Sequence, residues 1–255
     1  MKFIDTHSHL YLPEFDNDRE EVIQRAKDAD IEYIMLPNID SSTLLSLKAI
    51  TKSHSDFFLP MIGLHPTSVN ENFADELKIV ENELLKGKYY AVGEIGIDFY
   101  WDKTYAAEQE AALRTQLDLA LQFNLPVAIH TRDSFDFIAK IMEDYRNKNL
   151  RGVFHCFTGD VKQAKFIIAL GFKLGIGGVL TFKNSKLDEV LQHIDIQHIV
   201  LETDAPFLSP VPFRGKRNES SFMLKTAEKM ATIYQLPLDE IAQKTTFNAK
   251  QLFGI

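Results

Sequence analysis

Histidines and carboxylates occupy the points where short apolar segments of this sequence end. Imidazole nitrogens and carboxylate oxygens together suit zinc, manganese, iron or magnesium, and the carboxylates favour the harder ions of that set. Five of the eight histidines occupy such points. The full set is His7, His9, His65, Glu94, His130, His155 and Asp204. If these residues converge in the folded chain, they form a metal centre able to activate water.

Two of these positions have a spacing that bears on how cations are held. His7 and His9 are two residues apart, so both side chains can point to the same side of an extended strand and chelate one ion. Gly93 and Gly96 flank Glu94 and leave its carboxylate uncrowded. A carboxylate in that setting can bridge two cations through its two oxygens. We therefore expect a centre for two divalent cations.

An acid closes the last of the apolar segments. Asp204 at that position can ligate a metal and accept a proton from bound water. Glu202 shares the parity of Asp204 along an extended chain, so it is an alternative for the same role. The sequence does not decide between these two acids.

Basic side chains near the predicted metal centre are candidates for binding an anionic substrate. Arg132 lies two residues beyond His130 and shares its parity, so it can face the same site. The loop Pro210–Asn218 contains Lys216 and Arg217 and offers a clamp for phosphate oxygens. The same region contains two rings on which a base can stack, Phe207 and Phe213.

The elements that must position these residues are short strands alternating with helices. Eight apolar runs have strand length: Lys2–Asp5, Tyr33–Leu36, Phe58–Leu64, Tyr89–Val92, Pro126–Ile129, Gly152–Phe154, Phe172–Ile176 and His198–Leu201. Amphipathic stretches lie between them, and Tyr105–Phe123 has the clearest helical spacing. Right-handed crossovers then produce a parallel sheet, and eight such units favour closure into a (β/α)8 barrel.

The barrel explains how residues distant in sequence meet. All strands of a parallel barrel end on one face, so the ligands that follow them converge there. A doubly wound open sheet is the competing architecture. Such a sheet normally carries a glycine-rich phosphate turn after its first strand, where this sequence has Thr6–His9.

Length and composition limit the class of protein. The chain has 255 residues, 45% of them apolar, so we expect residues 1–255 to form one barrel domain. The formal charge of −8 makes the surface repel a polyanion, and a nucleic-acid substrate would need cations at the site. Cys156 is the only cysteine, which excludes an internal disulfide and a thiolate zinc cluster. Without an apolar leader or membrane-length run, the sequence predicts a soluble cytoplasmic protein, with no membrane association and no obligate protein partner.

Six ordered motifs together point to one known family. They are Asp5–Leu10, Gly63–Pro66, Val92–Tyr100, Ile129–Arg132, His155–Gly159 and Glu202–Phe207. The chain resembles the TatD family of metal-dependent hydrolases, amidohydrolase-like proteins, and the likeness extends to Arg214–Asn218. The resemblance implies an α/β fold, a single TIM barrel with parallel strands, and two divalent cations, magnesium or manganese with zinc also open. It further implies deoxyribonuclease activity, often from 3′ to 5′, with single-stranded DNA or 3′ ends as substrate.

The resemblance also assigns roles to individual residues. Two ligand sets share one carboxylate: His7, His9, Glu94 and Asp204 for one cation, and Glu94, His130 and His155 for the other. Glu94 would bridge the cations, and Asp204 would act as general base. His65 would contact the phosphate or the leaving oxygen at the rim. Lys216 and Arg217 would hold neighbouring phosphates.

Two other functions remain open from the sequence. The same water-activating centre can cleave a carboxylic ester or amide, for example in removing an amino acid from tRNA. A non-catalytic module that binds nucleic acid or a protein is the other, although the full ligand set and the acid favour catalysis. The chain also departs from the family's common pattern after Glu219, where Ser220–Phe222 replaces the usual proline, which affects the expected fit of the substrate.

Overall fold

Eight strands and nine α-helices alternate along the chain. In the computed structural model, which describes residues 1–255, strands β1 to β8 are Phe3–Asp5, Ile31–Leu36, Phe58–Pro60, Val92–Asp98, Val127–Arg132, Gly152–Phe154, Lys173–Ile176 and Ile199–Leu201. Helices α1 to α9 are Arg19–Asp28, Leu44–Ser53, Phe73–Lys86, Ala106–Gln122, Phe135–Glu143, Val161–Ala169, Leu187–Leu191, Met223–Tyr234 and Leu238–Phe253. Each strand is followed by a helix, as the alternation predicts.

The strands form a barrel in which neighbours along the chain pair in parallel. Two seams complete it outside the regular pairing. At the first, the Gly93 amide donates to the Ile62 carbonyl over 2.9 Å and joins β4 to the chain after β3. At the second, the Thr6 amide donates to the Leu201 carbonyl over 3.0 Å and joins the end of β1 to β8. The barrel prediction is confirmed, and the open doubly wound sheet is excluded.

Apolar side chains fill the amino-terminal part of the barrel interior. Ile4 and Met35 belong to a buried cluster that also contains Phe253 from the end of α9. Helix α9 lies against the start of β1, where the Thr246 hydroxyl donates to the Lys2 carbonyl over 2.8 Å. With this end filled, the carboxyl ends of the strands form the open face.

The helices cover the outside of the barrel through apolar stripes. The helix predicted over Tyr105–Phe123 is α4, Ala106–Gln122, and it buries Leu113, Leu117 and Ala120 against the strands. These residues recur at the spacing that places them on one helix face. None of the helices combines the length and the apolar composition needed to cross a bilayer.

Strand β4 begins where the prediction ended. The apolar run Tyr89–Val92 predicts a strand that stops before Glu94, whereas the observed strand runs from Val92 to Asp98. Its pairing with β5 is irregular between Val92 and Ile95. Glu94 therefore lies inside a strand, at an irregularity of the kind that re-aims side chains beside active sites.

Candidate metal centre

The buried carboxylate of Glu94 lies among imidazole rings at the open face of the barrel. Its Oε2 atom is 3.0 Å from His7 Nε2 and 3.5 Å from His9 Nε2. Its Oε1 atom is 2.7 Å from His155 Nε2 and 2.9 Å from His130 Nδ1. Burial raises the pKa of Glu94, but the imidazoles, His155 foremost, outweigh burial and hold that pKa well below its usual range. The two oxygens thus face two different sets of nitrogens.

The Tyr11 hydroxyl, behind the His9 ring, determines which nitrogen of His9 can bind a metal ion. The Tyr11 hydroxyl donates to the Pro37 carbonyl over 2.6 Å, so it accepts from His9 Nδ1, 2.9 Å away. The proton of a neutral His9 ring is then on Nδ1, and the lone pair of Nε2 points toward Glu94. The buried Nδ1 of His7, in contrast, has no hydrogen-bond partner.

A carboxylate behind the ring orients His130. His130 Nε2 is 2.9 Å from Asp98 Oδ2, which leaves Nδ1 facing Glu94. The Nε2 atom of His155 also faces Glu94, but its buried Nδ1, 3.5 Å from Glu202 Oε1, has no hydrogen-bond partner. Paired carboxylates of this kind fix the ring orientation of metal-binding histidines and raise their basicity.

His65 also faces the cluster, but its neutral ring carries the proton on Nε2, whereas a neutral His9 ring carries it on Nδ1. Its Nε2 is 3.3 Å from Glu94 Oε1. The Thr67 amide donates to His65 Nδ1 over 3.1 Å at the start of the 3-10 turn Pro66–Ser68, so Nδ1 is an acceptor. Burial lowers the pKa of His65 and favours the neutral ring. A neutral His65 therefore carries its proton on Nε2, which makes that atom a hydrogen-bond donor rather than a ligand.

Asp204 joins the cluster from the segment that follows β8. Its Oδ1 is 3.8 Å from His7 Nε2 and 3.6 Å from His9 Nε2. Burial raises the pKa of Asp204, but the imidazoles, His9 foremost, outweigh burial and lower that pKa. The Asp204 side chain is 15% exposed, against 3% for Glu94, so Asp204 is the carboxylate nearer the opening. Glu202, the alternative acid, is fully buried behind the cluster.

The donor set suits divalent cations. Three overlapping triplets of ligand atoms lie within 4.8 Å of one another: His7, His9 and Glu94; His7, His155 and Asp204; and His65, Glu94 and His130. Imidazole nitrogens and carboxylate oxygens face the same buried space, and both are donor types that divalent cations accept once the imidazoles are neutral. The seven residues that the sequence places at strand ends do meet; the roles of six of them as ligands, and of His65 as a contact to the phosphate or the leaving oxygen, stay predictions.

Comparison with known proteins adds an independent observation. A family model described as TatD related DNase matches residues 4–254. The chain belongs to this family. The TatD resemblance carried by the six motifs is thus confirmed over nearly the whole chain.

TatD relatives align with this chain from end to end. YabD of Bacillus subtilis, an uncharacterized metal-dependent hydrolase, is 38% identical over 252 residues, which cover 98% of each chain. The crystal structure of the TatD homolog YjjV from Escherichia coli has a TM-score of 0.93 at 31% identity, and the match covers 99% of this chain and 98% of that one. A TatD family hydrolase from Entamoeba histolytica shares the fold, with a TM-score of 0.85, 22% identity and coverage of 99% and 98%. The protein is therefore a metal-dependent hydrolase of the TatD family.

The three basic residues predicted to bind substrate lie in different surroundings. Arg132 is exposed, and its guanidinium carbon lies 3.7 Å from the centroid of the Tyr100 ring. Lys216 is exposed in the loop after β8. Arg217 is paired with Asp18, whose Oδ2 is 2.7 Å from the guanidinium. A phosphate at Arg217 would compete with Asp18 for the guanidinium, and the role of Arg217 in binding phosphate stays a prediction.

The two rings predicted to stack on a base also differ. Phe207 is 50% exposed, and its centroid is 6.4 Å from that of His9. Phe213 stacks on Phe222 with centroids 3.9 Å apart, so one face of Phe213 is covered. Phe222 belongs to the 3-10 turn Ser220–Phe222, which stands where the family usually has proline. The altered turn therefore packs against the loop after β8.

The prediction from sequence omits Tyr11 and Asp98, which orient ligand rings from behind. Each follows a predicted ligand by an even number of residues, and this spacing is the signal that could have marked them. Asp5 lies two residues before His7, and this even spacing wrongly suggests that its carboxylate also faces the site. Its carboxylate accepts from the Thr203 amide over 3.0 Å and the Thr203 hydroxyl over 2.7 Å, outside the imidazole cluster.

Proposed function

We propose that this protein is a deoxyribonuclease that hydrolyses phosphodiester bonds of single-stranded DNA or of 3′ ends. The observation that carries the proposal is the division of the Glu94 oxygens between two sets of imidazoles. Paired cations with a shared ligand are a recurring solution for flanking a scissile phosphate. The description of the matching family, TatD related DNase, supports the same substrate class.

Two ligand sets that share Glu94 would hold the cations. They are His7, His9, Glu94 and Asp204, and Glu94, His130 and His155. When bound, divalent cations supply Lewis acidity toward water and phosphoryl oxygens and offset the charge of the transition state. The carboxylate share of this set suits magnesium or manganese, and the imidazole share also admits zinc.

Asp204 would act as the general base, and His65 as a hydrogen-bond donor to the leaving oxygen. Asp204 is ionised because its pKa is lowered, and it accepts a proton from the attacking water as the new phosphorus–oxygen bond forms. As the old phosphorus–oxygen bond breaks, the leaving oxygen takes up the proton that Asp204 accepted, carried through solvent, and His65 stabilises its developing charge with a hydrogen bond from Nε2. One water is consumed, and the products are an alcohol and a phosphate monoester.

The proposal is tested with metal-free enzyme reconstituted separately with magnesium, manganese and zinc. The substrate is a single-stranded oligonucleotide labelled at its 3′ end or, separately, at its 5′ end. A 3′-to-5′ exonuclease releases the 3′ label first and shortens the 5′-labelled strand one nucleotide at a time. Glu94→Ala is expected to lose at least about a hundredfold in rate. Glu81→Ala, which removes an exposed glutamate outside the site, is expected to retain the wild-type rate.

Each contrary outcome points to a different function. DNA left intact with every metal contradicts the proposal, and carboxylic esters and amides, aminoacyl-tRNA among them, become the next substrates. Binding of nucleic acid without turnover of any substrate indicates a non-catalytic module. Turnover that survives Asp204→Asn removes the general-base assignment and leaves the nuclease in place.

A further inference from the structure

Two adjacent aromatic rings are exposed on the loop that leaves β4. Trp101 is 72% exposed and Tyr100 is 51% exposed. The rings meet edge to face with centroids 4.8 Å apart. Single exposed apolar residues are common, but a contiguous aromatic patch at the open face of a barrel marks a place where something binds. Packing within the fold leaves the Trp101 ring largely uncovered.

This loop is tied directly to the metal centre. Asp98 Oδ1 accepts from the Tyr100 amide over 2.9 Å, while Asp98 Oδ2 is 2.9 Å from His130 Nε2. At the end of β5, the Arg132 guanidinium carbon lies 3.7 Å from the Tyr100 centroid and 5.4 Å from the Trp101 centroid. No carboxylate pairs with Arg132, so its N–H groups are available to a ligand. The patch therefore combines exposed ring faces with an unpaired cation.

A cavity of about 420 Å³ lies beside Trp101. Its wall includes Asp98, which contacts His130, and Thr67, whose hydroxyl is 2.6 Å from His65 Nδ1. The cavity and the metal centre thus share a wall. Its volume lies within the range of pockets that hold small organic groups.

The lining of this cavity favours a base over a phosphate. The carboxylates of Asp40, Asp98 and Asp102 line it and repel a phosphate group. Asp102, which accepts from Thr104 through Oδ1 alone, can accept a hydrogen bond at Oδ2 from the ring or amino N–H groups of a base. The exposed indole of Trp101 offers a stacking face, and stacking tolerates any base because every base has a π-face.

We propose that Trp101 and the adjoining cavity form the subsite for an unpaired base of a nucleotide next to the scissile phosphate, with Arg132 on a neighbouring phosphate. This inference rests on the proposed deoxyribonuclease function. A base inside a duplex is stacked on both faces and paired along its edge, so it cannot enter the cavity. The subsite therefore makes the enzyme select single strands and frayed 3′ ends.

The fluorescence of Trp101 tests occupancy of the subsite directly, because Trp101 is the only tryptophan of the chain. Metal-loaded enzyme is titrated with a phosphorothioate-linked single-stranded tetranucleotide, which resists hydrolysis. Stacking is expected to quench the emission. Versions that lack the base at the 3′-terminal or the penultimate nucleotide are compared, and one of them is expected to need about ten times the concentration for half-maximal quenching. Equal quenching by all three overturns the subsite.

A kinetic comparison measures the preference for a base at the same position. Wild-type kcat/KM is expected to favour the base-bearing strand over the abasic strand about tenfold. Trp101→Ala is expected to reduce this ratio to near one, and Trp101→Phe to retain part of it because a ring remains. The matched control is Phe247→Ala, which removes a ring that is 63% exposed on α9 and should keep the full ratio. If folded Trp101→Ala keeps the wild-type ratio of kcat/KM between the base-bearing and the abasic strand, the proposed subsite is wrong.

The outcomes separate this inference from the function on which it rests. If the wild type cleaves DNA and Trp101→Ala keeps the preference for a base, the subsite is wrong and the deoxyribonuclease stands. If the wild type cleaves no DNA with any metal, the proposed function is wrong and the subsite falls with it.

Discussion

At the scale of single residues, the groups behind the imidazoles decide what each ring can do. His9 and His65 are each followed two residues later by a partner for Nδ1. Tyr11 accepts from His9 because its own proton is donated to a carbonyl, whereas the Thr67 amide donates to His65. The same spacing thus places the proton on opposite nitrogens. In their neutral forms, His9 presents a lone pair to the cluster and His65 presents an N–H group.

Tyr11→Phe tests the orientation of His9. The substitution leaves His9 Nδ1–H and the Pro37 carbonyl buried without their partner. We expect manganese affinity, measured by titration calorimetry, to fall about tenfold. We expect the free energy of unfolding of the metal-free protein to fall by about 1–3 kcal/mol in chemical denaturation. Tyr33→Phe, which removes a hydroxyl without a hydrogen-bond partner, is the control, and equal affinities in the two variants would refute the role of Tyr11.

His65→Ala distinguishes a hydrogen-bond donor from a metal ligand. If His65 donates from Nε2, the variant keeps the wild-type amount of bound metal and loses about a hundredfold in kcat. His130→Ala is expected to lose both metal and turnover. The measurements are metal per protein after gel filtration, by elemental analysis, and kcat on the DNA substrate. Loss of metal from His65→Ala would make His65 a ligand and contradict the proton placement.

At the scale of elements, the pairing of β4 with β5 brings the ligands of two strands together. Glu94 lies in β4 and His130 in β5, and Gly96 is paired with His130 in the ladder. Gly96 has a φ of +148°, and a Cβ there would lie 2.0 Å from the His130 carbonyl oxygen. Any larger residue at Gly96 must therefore displace one of the two strands that hold the site.

Gly96→Ala is expected to lower the free energy of unfolding by about 3 kcal/mol, because a backbone clash adds to the unfavourable φ. Gly171→Ala is the matched control: it also has a positive φ, +85°, but no atom lies within 4 Å of the added Cβ. The control is expected to lose about 1 kcal/mol. Chemical denaturation of metal-free protein gives both values. Equal decreases in the free energy of unfolding of the two variants would show that the close approach of β4 and β5 at Gly96 does not contribute to the cost of the substitution.

Much of the barrel follows from local sequence, because apolar runs and helical stripes are visible without tertiary context. Strand β6 has the predicted bounds Gly152–Phe154, and α4 differs from its prediction by one residue at each end. The bounds of strand β4 cannot be predicted from the local sequence in this way. Its glycines and Glu94 have low strand propensity, and pairing with β5 outweighs that propensity.

The candidate site was predictable to the extent that strand ends converge. The barrel geometry brings the predicted ligands at the carboxyl ends of β1, β5, β6 and β8 to one face. Pairings between distant segments leave no local signal. Arg217 and Asp18 are 199 residues apart, and their ion pair takes the guanidinium that the sequence assigns to phosphate. The hydroxyl of Tyr11 likewise depends on the Pro37 carbonyl, which periodicity cannot identify.

At the scale of the whole molecule, metal binding is expected to stabilise the fold. A ligand that binds only the native state at a hundred times its Kd adds about 2.7 kcal/mol to the free energy of unfolding. In a chain of this length, 1 kcal/mol changes Tm by about 2–4 °C. Chelation is therefore expected to lower Tm by at least about 5 °C in calorimetry. Glu94→Ala should show no such difference, and an unchanged wild-type Tm would argue against binding at a native site.

Net charge sets how the enzyme responds to salt. With a formal charge of −8, the surface would repel DNA, so under the proposed function attraction would depend on the metal ions of the centre and on a few side chains such as Arg132 and Lys216. Each phosphate neutralised on a single strand contributes a slope of about −0.7 to the plot of log affinity against log salt concentration. Two or three such contacts give a slope of about −1.4 to −2.1.

Affinity for a hydrolysis-resistant single strand is therefore expected to fall about tenfold between 50 and 200 mM salt, at constant divalent cation. Arg132→Ala is expected to make the slope shallower by about 0.7, because one phosphate contact is lost. Lys148→Ala, outside the barrel mouth, is expected to leave the slope unchanged. A wild-type slope steeper than about −4 would require six or more contacts, and an acidic surface with so few cations at its mouth cannot supply them. Such a slope would mean that DNA lies on a basic surface elsewhere, and the centre around Glu94 would then no longer account for binding.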